Sequence, residues 1–270
     1  MTDMVLIHGA WLSARSWENF EKYFSERGYN VEVPEWPRKH GDVEALRESA
    51  DELKGLGIQE IVDHYDELIR GRDPQPVIVG HSFGGLFTLL LLDRGLGLAG
   101  VALDPAAPKG VLALAPSTLK AAAPAIAHPS KLRGVVELTE KQFTYGFTNT
   151  WPEADAKAAY ERYAVPETGR IFFQDGLANF QWHSPAEIDF HKADRAPLLI
   201  TVGEHDHIVP PSSAQGTFKK YASCDALTEL IEFPGRSHLL AAGEGWEEVA
   251  KTVGDWLDKA LADKPAPAPA

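Results

Sequence analysis

Short apolar runs alternate along the chain with longer segments in which apolar residues recur at helical spacing. Four of the six strand-like runs are almost continuously apolar, which is typical of strands that are buried on both faces. The six runs cover residues 4–8, 30–33, 77–81, 100–103, 198–202 and 228–233. This alternation predicts an α/β protein with a mostly parallel sheet of six strands and helices on both faces.

Helical periodicity is clearest in four places. These are residues 14–27, closed by Gly28; residues 42–70, where Gly55 and Gly57 predict a break; residues 86–92, which are apolar all round; and residues 246–261, which carry a regular apolar stripe. Each lies between or after predicted strands, as helices that cover a parallel sheet must.

The alternation stops between residues 108 and 196, where helical patches occur without a convincing strand. This stretch is rich in aromatic residues, ten between Phe143 and Trp182. We therefore predict a core of residues 1–107 and 197–262 with a helical cap of residues 108–196 inserted into it. The tail 263–270, which is rich in proline and alanine, is expected to be extended and disordered.

Ser82 stands where the third predicted strand meets the following helix, within the pattern Gly80-His81-Ser82-Phe83-Gly84. A serine between a strand and a helix, with glycine two residues to each side, is typical of a nucleophile elbow. The glycines let strand and helix pass closely, and the corner exposes the serine hydroxyl at the carboxyl end of the strand.

Polar residues follow the other strands as well. His8, Asp104, Asp206 and His238 each come at the end of an apolar run, and ligands of parallel sheets bind outside these ends. A serine nucleophile needs a base, and a histidine base needs an acceptor that fixes its tautomer. Ser82, Asp206 and His238 supply these three groups.

The order Ser82, Asp206, His238, with Gly80 to Gly85, Gly203 to Pro210 and Gly235 to His238 around them, resembles the α/β-hydrolase superfamily. The resemblance covers residues 4–261. It implies that Ser82 is the nucleophile, His238 the general base and Asp206 the orienting acid. It also implies an oxyanion hole made by the amides of Phe83 and Ala10, or of Trp11 in place of Ala10. The leading antiparallel hairpin of the family is missing, which leaves six strands.

Other assignments compete for some of these residues. Asp104 is the alternative acid, although the Asp-Pro that it begins is a common turn. His205 and His207 flank Asp206, but no further ligand cluster is evident, so we expect no metal. The stretch Gly95 to Gly100 matches a dinucleotide fingerprint, but it follows a helix and precedes a strand, the reverse of what that motif requires. We expect no cofactor.

The net charge of −13 argues against nucleic acid or an anionic membrane as a partner. The single cysteine, Cys224, excludes an intrachain disulfide and suits a reducing compartment. A strand begins by Met4, and no apolar run reaches membrane-spanning length. We expect a cytoplasmic protein, and no pattern predicts its oligomeric state.

The reaction expected from these residues is hydrolysis of a carboxylic ester or lactone that carries an apolar group. The candidate substrate contacts are Trp11, His81, Phe143, Phe147, Trp182 and Leu239. Three alternatives stay open: carbon–carbon bond hydrolysis, perhydrolase or haloperoxidase activity with the same triad, and a ligand-binding receptor on a hydrolase scaffold.

Overall fold

Six parallel strands form the central sheet of the protein. The structure, a computed structural model, describes residues 1–112 and 115–262. The strands are β1 (Thr2–Ile7), β2 (Tyr29–Glu32), β3 (Val77–His81), β4 (Gly100–Leu103), β7 (Leu198–Gly203) and β8 (Thr228–Phe233), in the spatial order β2-β1-β3-β4-β7-β8. The predicted α/β fold with a six-stranded sheet is confirmed, and every pair within this sheet is parallel. The predicted disordered tail, residues 263–270, lies outside the described residues.

Alternate residues of the central strands supply two separate cores. Val5 and Ile7 of β1 point into the core that contains α3 and α4, whereas Met4 and Leu6 point into the core that contains α1 and α10. Successive side chains of a strand face opposite sides of the sheet, so a strand that is apolar at every position is buried on both faces. This explains why the runs of the central strands lack polar alternation, whereas the edge strands β2 and β8 contain polar, partly exposed residues.

Five helices of the core lie where the periodicity predicted them. They are α1 (Glu18–Glu26), α2 (Val43–Glu48), α3 (Ile58–Arg70), α4 (Phe83–Asp93) and α10 (Trp246–Ala262). Helix α9 (Pro211–Lys220), which follows β7, was not predicted. The predicted break in residues 42–70 falls at a short 3₁₀ turn and Gly55, which has a φ of +74°. This positive φ suits glycine and ends the helical path.

The chain between β4 and β7 folds mainly into helices. They are α5 (Pro116–Ile126), α6 (Glu140–Phe147), α7 (Glu153–Tyr163) and α8 (Arg170–Gly176). The insert also contains a two-stranded antiparallel sheet, β5 (Val135–Val136) with β6 (Glu167–Thr168). Sequence reasoning missed this sheet because runs of two residues carry no periodicity.

Hydrogen bonds attach the insert to loops at the carboxyl ends of the strands. Val165 donates its amide proton to the carbonyl of Trp11, after β1, and Leu239, after β8, donates to the carbonyl of Phe147 in α6. The indole of Trp11 donates in turn to the carbonyl of Val136. The insert therefore lies over the edge of the sheet where Ser82 stands. None of the helices in the described part of the chain has the length and apolar character needed to cross a membrane.

Candidate active site

Ser82 occupies a strained corner between β3 and α4, with φ of 57° and ψ of −119°. Residues other than glycine rarely adopt such angles, and those that do concentrate at functional sites. The neighbours make the corner possible, because a Cβ on Gly80 would overlap the carbonyl of Gly84 and one on Gly84 would overlap the carbonyl of Ile7. The small residues around Ser82 are therefore required by the close passage of β1, β3 and α4.

The loop after β1 runs directly past the serine. A Cβ built on Gly9 would lie 2.7 Å from Cβ of Ser82, so only glycine permits this approach. Ala10 follows Gly9, and Phe83 is the first residue of α4, where a backbone N–H has no acceptor within its own helix. The amides proposed from the sequence for the oxyanion hole thus lie on two segments that flank Ser82.

His238 is hydrogen-bonded to Asp206. Nδ1 of His238 donates to Oδ2 of Asp206 over 2.6 Å, and both side chains are fully buried. The other carboxylate oxygen of Asp206 accepts the amide protons of Ile208 and Val209, at 2.7 and 2.9 Å. The proton on Nδ1 leaves Nε2 of His238 as the nitrogen with a free lone pair.

Nε2 of His238 is buried and has no hydrogen-bond partner among the residues that the structure covers, Ser82 included. Catalytic hydrogen bonds are often long or poorly aligned without substrate and shorten when one binds. The structure thus brings His238 and Asp206 together, and leaves the bond between His238 and Ser82 unformed.

His81 supports the loop that carries His238. Its Nε2 donates to the carbonyl of His238 over 2.8 Å, and the two rings lie 4.7 Å apart. Burial, with the neighbouring His238, lowers the pKa of His81 well below its usual value. A neutral His81 with its proton on Nε2 is therefore a structural donor to the backbone of His238.

Asp104, the alternative acid, lies at the end of β4 with a positive φ of 46°. Its side chain is completely buried, and Oδ1 accepts the amide proton of Gly203 over 2.8 Å. His238 is bonded to Asp206 and not to Asp104. Burial and the nearby Asp206 raise the pKa of Asp104 well above its usual value.

One ligand atom from each of His81, Asp104 and His238 lies within 4.8 Å of the others. Such spacing suits a metal ion; the sequence analysis considered only His205 and His207 for this role and expected no metal. One nitrogen of each buried ring already has a hydrogen-bond partner, the carbonyl of His238 for His81 and Asp206 for His238. We interpret the three groups as a buried polar cluster, in which each side chain is held by one hydrogen bond to the backbone or to Asp206.

Aromatic rings of the insert and of the core cover this cluster. Phe147 meets the ring of His238 edge-on at 5.2 Å and stacks on Phe143 at 4.6 Å. Trp11 lies 6.4 Å from Phe147 and stacks on Phe172 at 4.3 Å. Ser82 is only 4% exposed and His238 is not exposed at all, so both lie beneath this cover.

The candidate substrate contacts are only partly brought together. Trp11, Phe143, Phe147 and Leu239 belong to one buried apolar core that also contains Phe83. Trp182, in contrast, is 88% exposed and lies outside that core, while His81 contacts the backbone of His238.

Phe172 was missed as a site residue, although it contacts both Trp11 and Phe83. It was one of ten aromatics in the insert, and only the folded structure selects among them.

His8 is fixed away from the catalytic groups. Its Nε2 lies 2.9 Å from Oε2 of Glu35, and its ring stacks on Trp36 at 4.8 Å. It therefore links the loops after β1 and β2, beside the loop segment that contains Gly9 and Ala10.

Strand order, the strained serine corner and the His238–Asp206 pair define an α/β-hydrolase architecture. Residues 4–252 match the family model described as the alpha/beta hydrolase family, and the chain belongs to this family. A comparison with curated proteins gives no match.

Solved structures with the same fold include proteins described as a lipase, a hydrolase and a putative bromoperoxidase. A monoacylglycerol lipase from Paleococcus ferrophilus is 21% identical with a TM-score of 0.63, over 96% of this chain and 94% of that one. An extracellular α/β-hydrolase from a Paenibacillus species is 18% identical with a TM-score of 0.68, over 94% and 98%. A putative non-heme bromoperoxidase from Mycobacterium tuberculosis is 20% identical with a TM-score of 0.69, over 98% and 94%. At these identities the likeness establishes the fold.

Proposed function

We propose that the protein is a serine hydrolase that cleaves a carboxylic ester or lactone bearing an apolar group, through an acyl-enzyme on Ser82. The observation that carries this proposal is the strained Ser82 at one sheet edge with the buried His238–Asp206 hydrogen bond of 2.6 Å. A nucleophile, a base with a free lone pair and an orienting acid are the groups that acyl transfer needs.

The first half of the reaction forms the acyl-enzyme. Nε2 of His238 takes the proton of the Ser82 hydroxyl while Oγ attacks the carbonyl carbon of the substrate. The carbonyl oxygen becomes an oxyanion, and the amides of Phe83 and Ala10 are the proposed donors to it. When the oxyanion collapses, the bond to the leaving oxygen breaks, and His238 returns the proton to the departing alcohol.

The second half releases the acid. His238 takes a proton from a water molecule, which attacks the acyl carbon, and the bond to Oγ of Ser82 breaks as the proton returns to it. Asp206 keeps its charge throughout and stabilises the imidazolium through Nδ1. Its bonds to the amides of Ile208 and Val209 keep the carboxylate oriented.

The apolar part of the substrate is proposed from the rings around Ser82 and His238. Trp11, Phe83, Phe147 and Phe172 offer apolar surface beside the reacting atoms, which suits a hydrocarbon or aryl group. We propose that the insert acts as a cap whose movement admits this group. Turnover of p-nitrophenyl esters of graded chain length, and of lactones, tests the class: kcat/KM should increase from acetate to longer acyl groups. A preference for acetate would contradict an apolar acyl site.

Ser82→Ala tests the nucleophile. Loss of the hydroxyl should reduce kcat for an activated ester by about 10⁴-fold or more, with the thermal unfolding temperature preserved. Ser213→Ala is the matched control, since Ser213 is also a buried serine whose hydroxyl has no hydrogen-bond partner among the described residues. An active Ser82→Ala variant would refute the proposal.

A further inference from the structure

The buried carboxyl of Asp104 has no role in the reaction as written. Its side chain is completely inaccessible, and Oδ1 accepts the amide proton of Gly203 at 2.8 Å, while the carbonyl of Gly203 accepts the amide of Asp206 at 3.1 Å. Gly203, at the end of β7, thus binds the carboxyl group of Asp104 through its N–H and the backbone of Asp206 through its carbonyl. Oδ2 of Asp104 is buried and accepts no hydrogen bond from any residue that the structure describes.

The groups around Asp104 make an ionised carboxylate unfavourable there. The titratable side chains that face it are Asp206 from the loop after β7, His81 from the end of β3 and His238 from the loop after β8. Asp206 is itself a carboxylate, and His81 is held neutral by burial. In the described part of the chain, Asp104 forms no ion pair with lysine or arginine. A second buried negative charge in this place would be unpaired, which is strongly disfavoured.

A proton on Asp104 resolves this conflict. Asp104 and Asp206 both bind Gly203 and both lie beside the ring of His238, and Asp206 is one of the groups that raise the pKa of Asp104. Two carboxylates are both acceptors and cannot bond without a proton. Since Oδ1 of Asp104 already accepts from Gly203, the proton belongs on Oδ2. Asp206 then accepts four hydrogen bonds, from Asp104, His238, Ile208 and Val209.

We propose that Asp104 is a positioning residue that stays protonated in the resting enzyme and donates its proton to Asp206. The acid that orients His238 is then a carboxyl–carboxylate pair. Donation from Asp104 spreads the charge of Asp206 and makes it a weaker acceptor, so His238 remains neutral, and able to act as a base, down to lower pH. The effect on activity rests on the proposed hydrolase function, whereas the proton itself does not.

Two substitutions of Asp104 distinguish a protonated side chain, which donates a hydrogen bond, from an ionised one. Asp104→Asn keeps a donor toward Asp206 and an acceptor for Gly203, so the acid limb of the pH profile of kcat/KM should stay where it is in the wild-type enzyme. Asp104→Ala removes the donor, so the limb should move to higher pH by about 0.5 to 1 unit. If Asp104 were ionised, Asp104→Asn would remove a negative charge near His238 and move the limb to lower pH, which would overturn the proposal.

Infrared spectroscopy shows whether the carboxyl group of Asp104 is protonated in the resting protein, and it needs no substrate. The wild-type protein should show the carbonyl stretch of a protonated carboxylic acid near neutral pH, and Asp104→Asn should abolish it. Asp175→Asn is the matched control because burial raises the pKa of Asp175 to about 7; its band should disappear above that pH while the band of Asp104 persists. Absence of a band that depends on Asp104 would refute the proposal even if Asp104→Ala failed to fold. If the Asp104 band is present but the protein has no esterase activity, the proposed hydrolase function is refuted and the protonation of Asp104 is not.

Discussion

Backbone strain at single residues sets the geometry of the candidate site. Ser82, Asp104 and Trp11 all have positive φ, between 46° and 60°. Ser82 and Asp104 directly follow β3 and β4, and Trp11 lies in the loop after β1. Such angles cost about 1–3 kcal/mol each and persist only where the surrounding structure enforces them. Close packing of β3 against α4 supplies that enforcement at Ser82, because Gly80 and Gly84 leave no room for a side chain.

Gly80→Ala should therefore destabilise the protein strongly. Its Cβ would overlap the backbone carbonyl of Gly84, which cannot move without opening the elbow, and we expect a loss of about 3 kcal/mol or more in the free energy of unfolding. Denaturant unfolding measures this. Gly71→Ala is the control, since Gly71 has a φ of −83° and open space around it. Equal effects of the two substitutions would contradict the packing account.

The residues of the site differ in how far the sequence could predict them. Ser82, Asp206 and His238 could be proposed from the sequence because each has a local motif and a place after a predicted strand. The proximity of Asp104 to Asp206 and the contact of Phe172 with Trp11 had no such signal, since both depend on distances between segments far apart in the chain.

Elements of the insert are fastened to the core by buried polar contacts. Lys39, in the loop after β2, lies 2.8 Å from the carboxylate of Glu167 in β6, and neither side chain is exposed. The same ammonium donates to the carbonyl of Leu12 and lies over the ring of Trp36. The strands of the core and five of its helices were predictable from periodicity, whereas the sheet of β5 and β6 that presents Glu167 was not, because it is too short.

Removing one partner of this ion pair leaves a buried charge without compensation. Glu167→Gln should lower the free energy of unfolding by about 3–5 kcal/mol, and the double substitution Lys39→Met with Glu167→Met should cost much less than the sum of the single changes. Glu26→Gln, in an exposed pair with Lys22, should have no measurable effect. Additive single changes, measured by denaturant unfolding, would show that the two groups do not interact.

At the scale of the whole molecule, the buried acid Asp104 should make a contribution to stability that falls as pH rises. Asp104 has a pKa well above its usual value in the folded protein, owing to burial and Asp206. Between the unfolded and folded pKa values, unfolding releases a proton from this group, so its contribution to stability falls as pH rises. The slope has an upper bound of about 1.4 kcal/mol per pH unit.

Asp104→Asn lacks this titration, so its stability relative to the wild-type protein should increase steadily from about pH 4 upward. For Asp175→Asn, the same difference should stop growing above about pH 7, where Asp175 ionises in the folded protein. Urea unfolding across the pH range measures both differences. A difference for Asp104→Asn that is independent of pH would mean that Asp104 is ionised in the folded state.

Covalent labelling tests the central claim most directly. The protein is incubated with a fluorophosphonate, digested, and the modified residue is located by mass spectrometry. We expect one adduct, on Oγ of Ser82, whose rate of formation falls sharply in His238→Ala and is unchanged in Ser213→Ala. An unmodified Ser82, or labelling at the same rate without the imidazole of His238, would contradict the account of Ser82 as a nucleophile activated by His238.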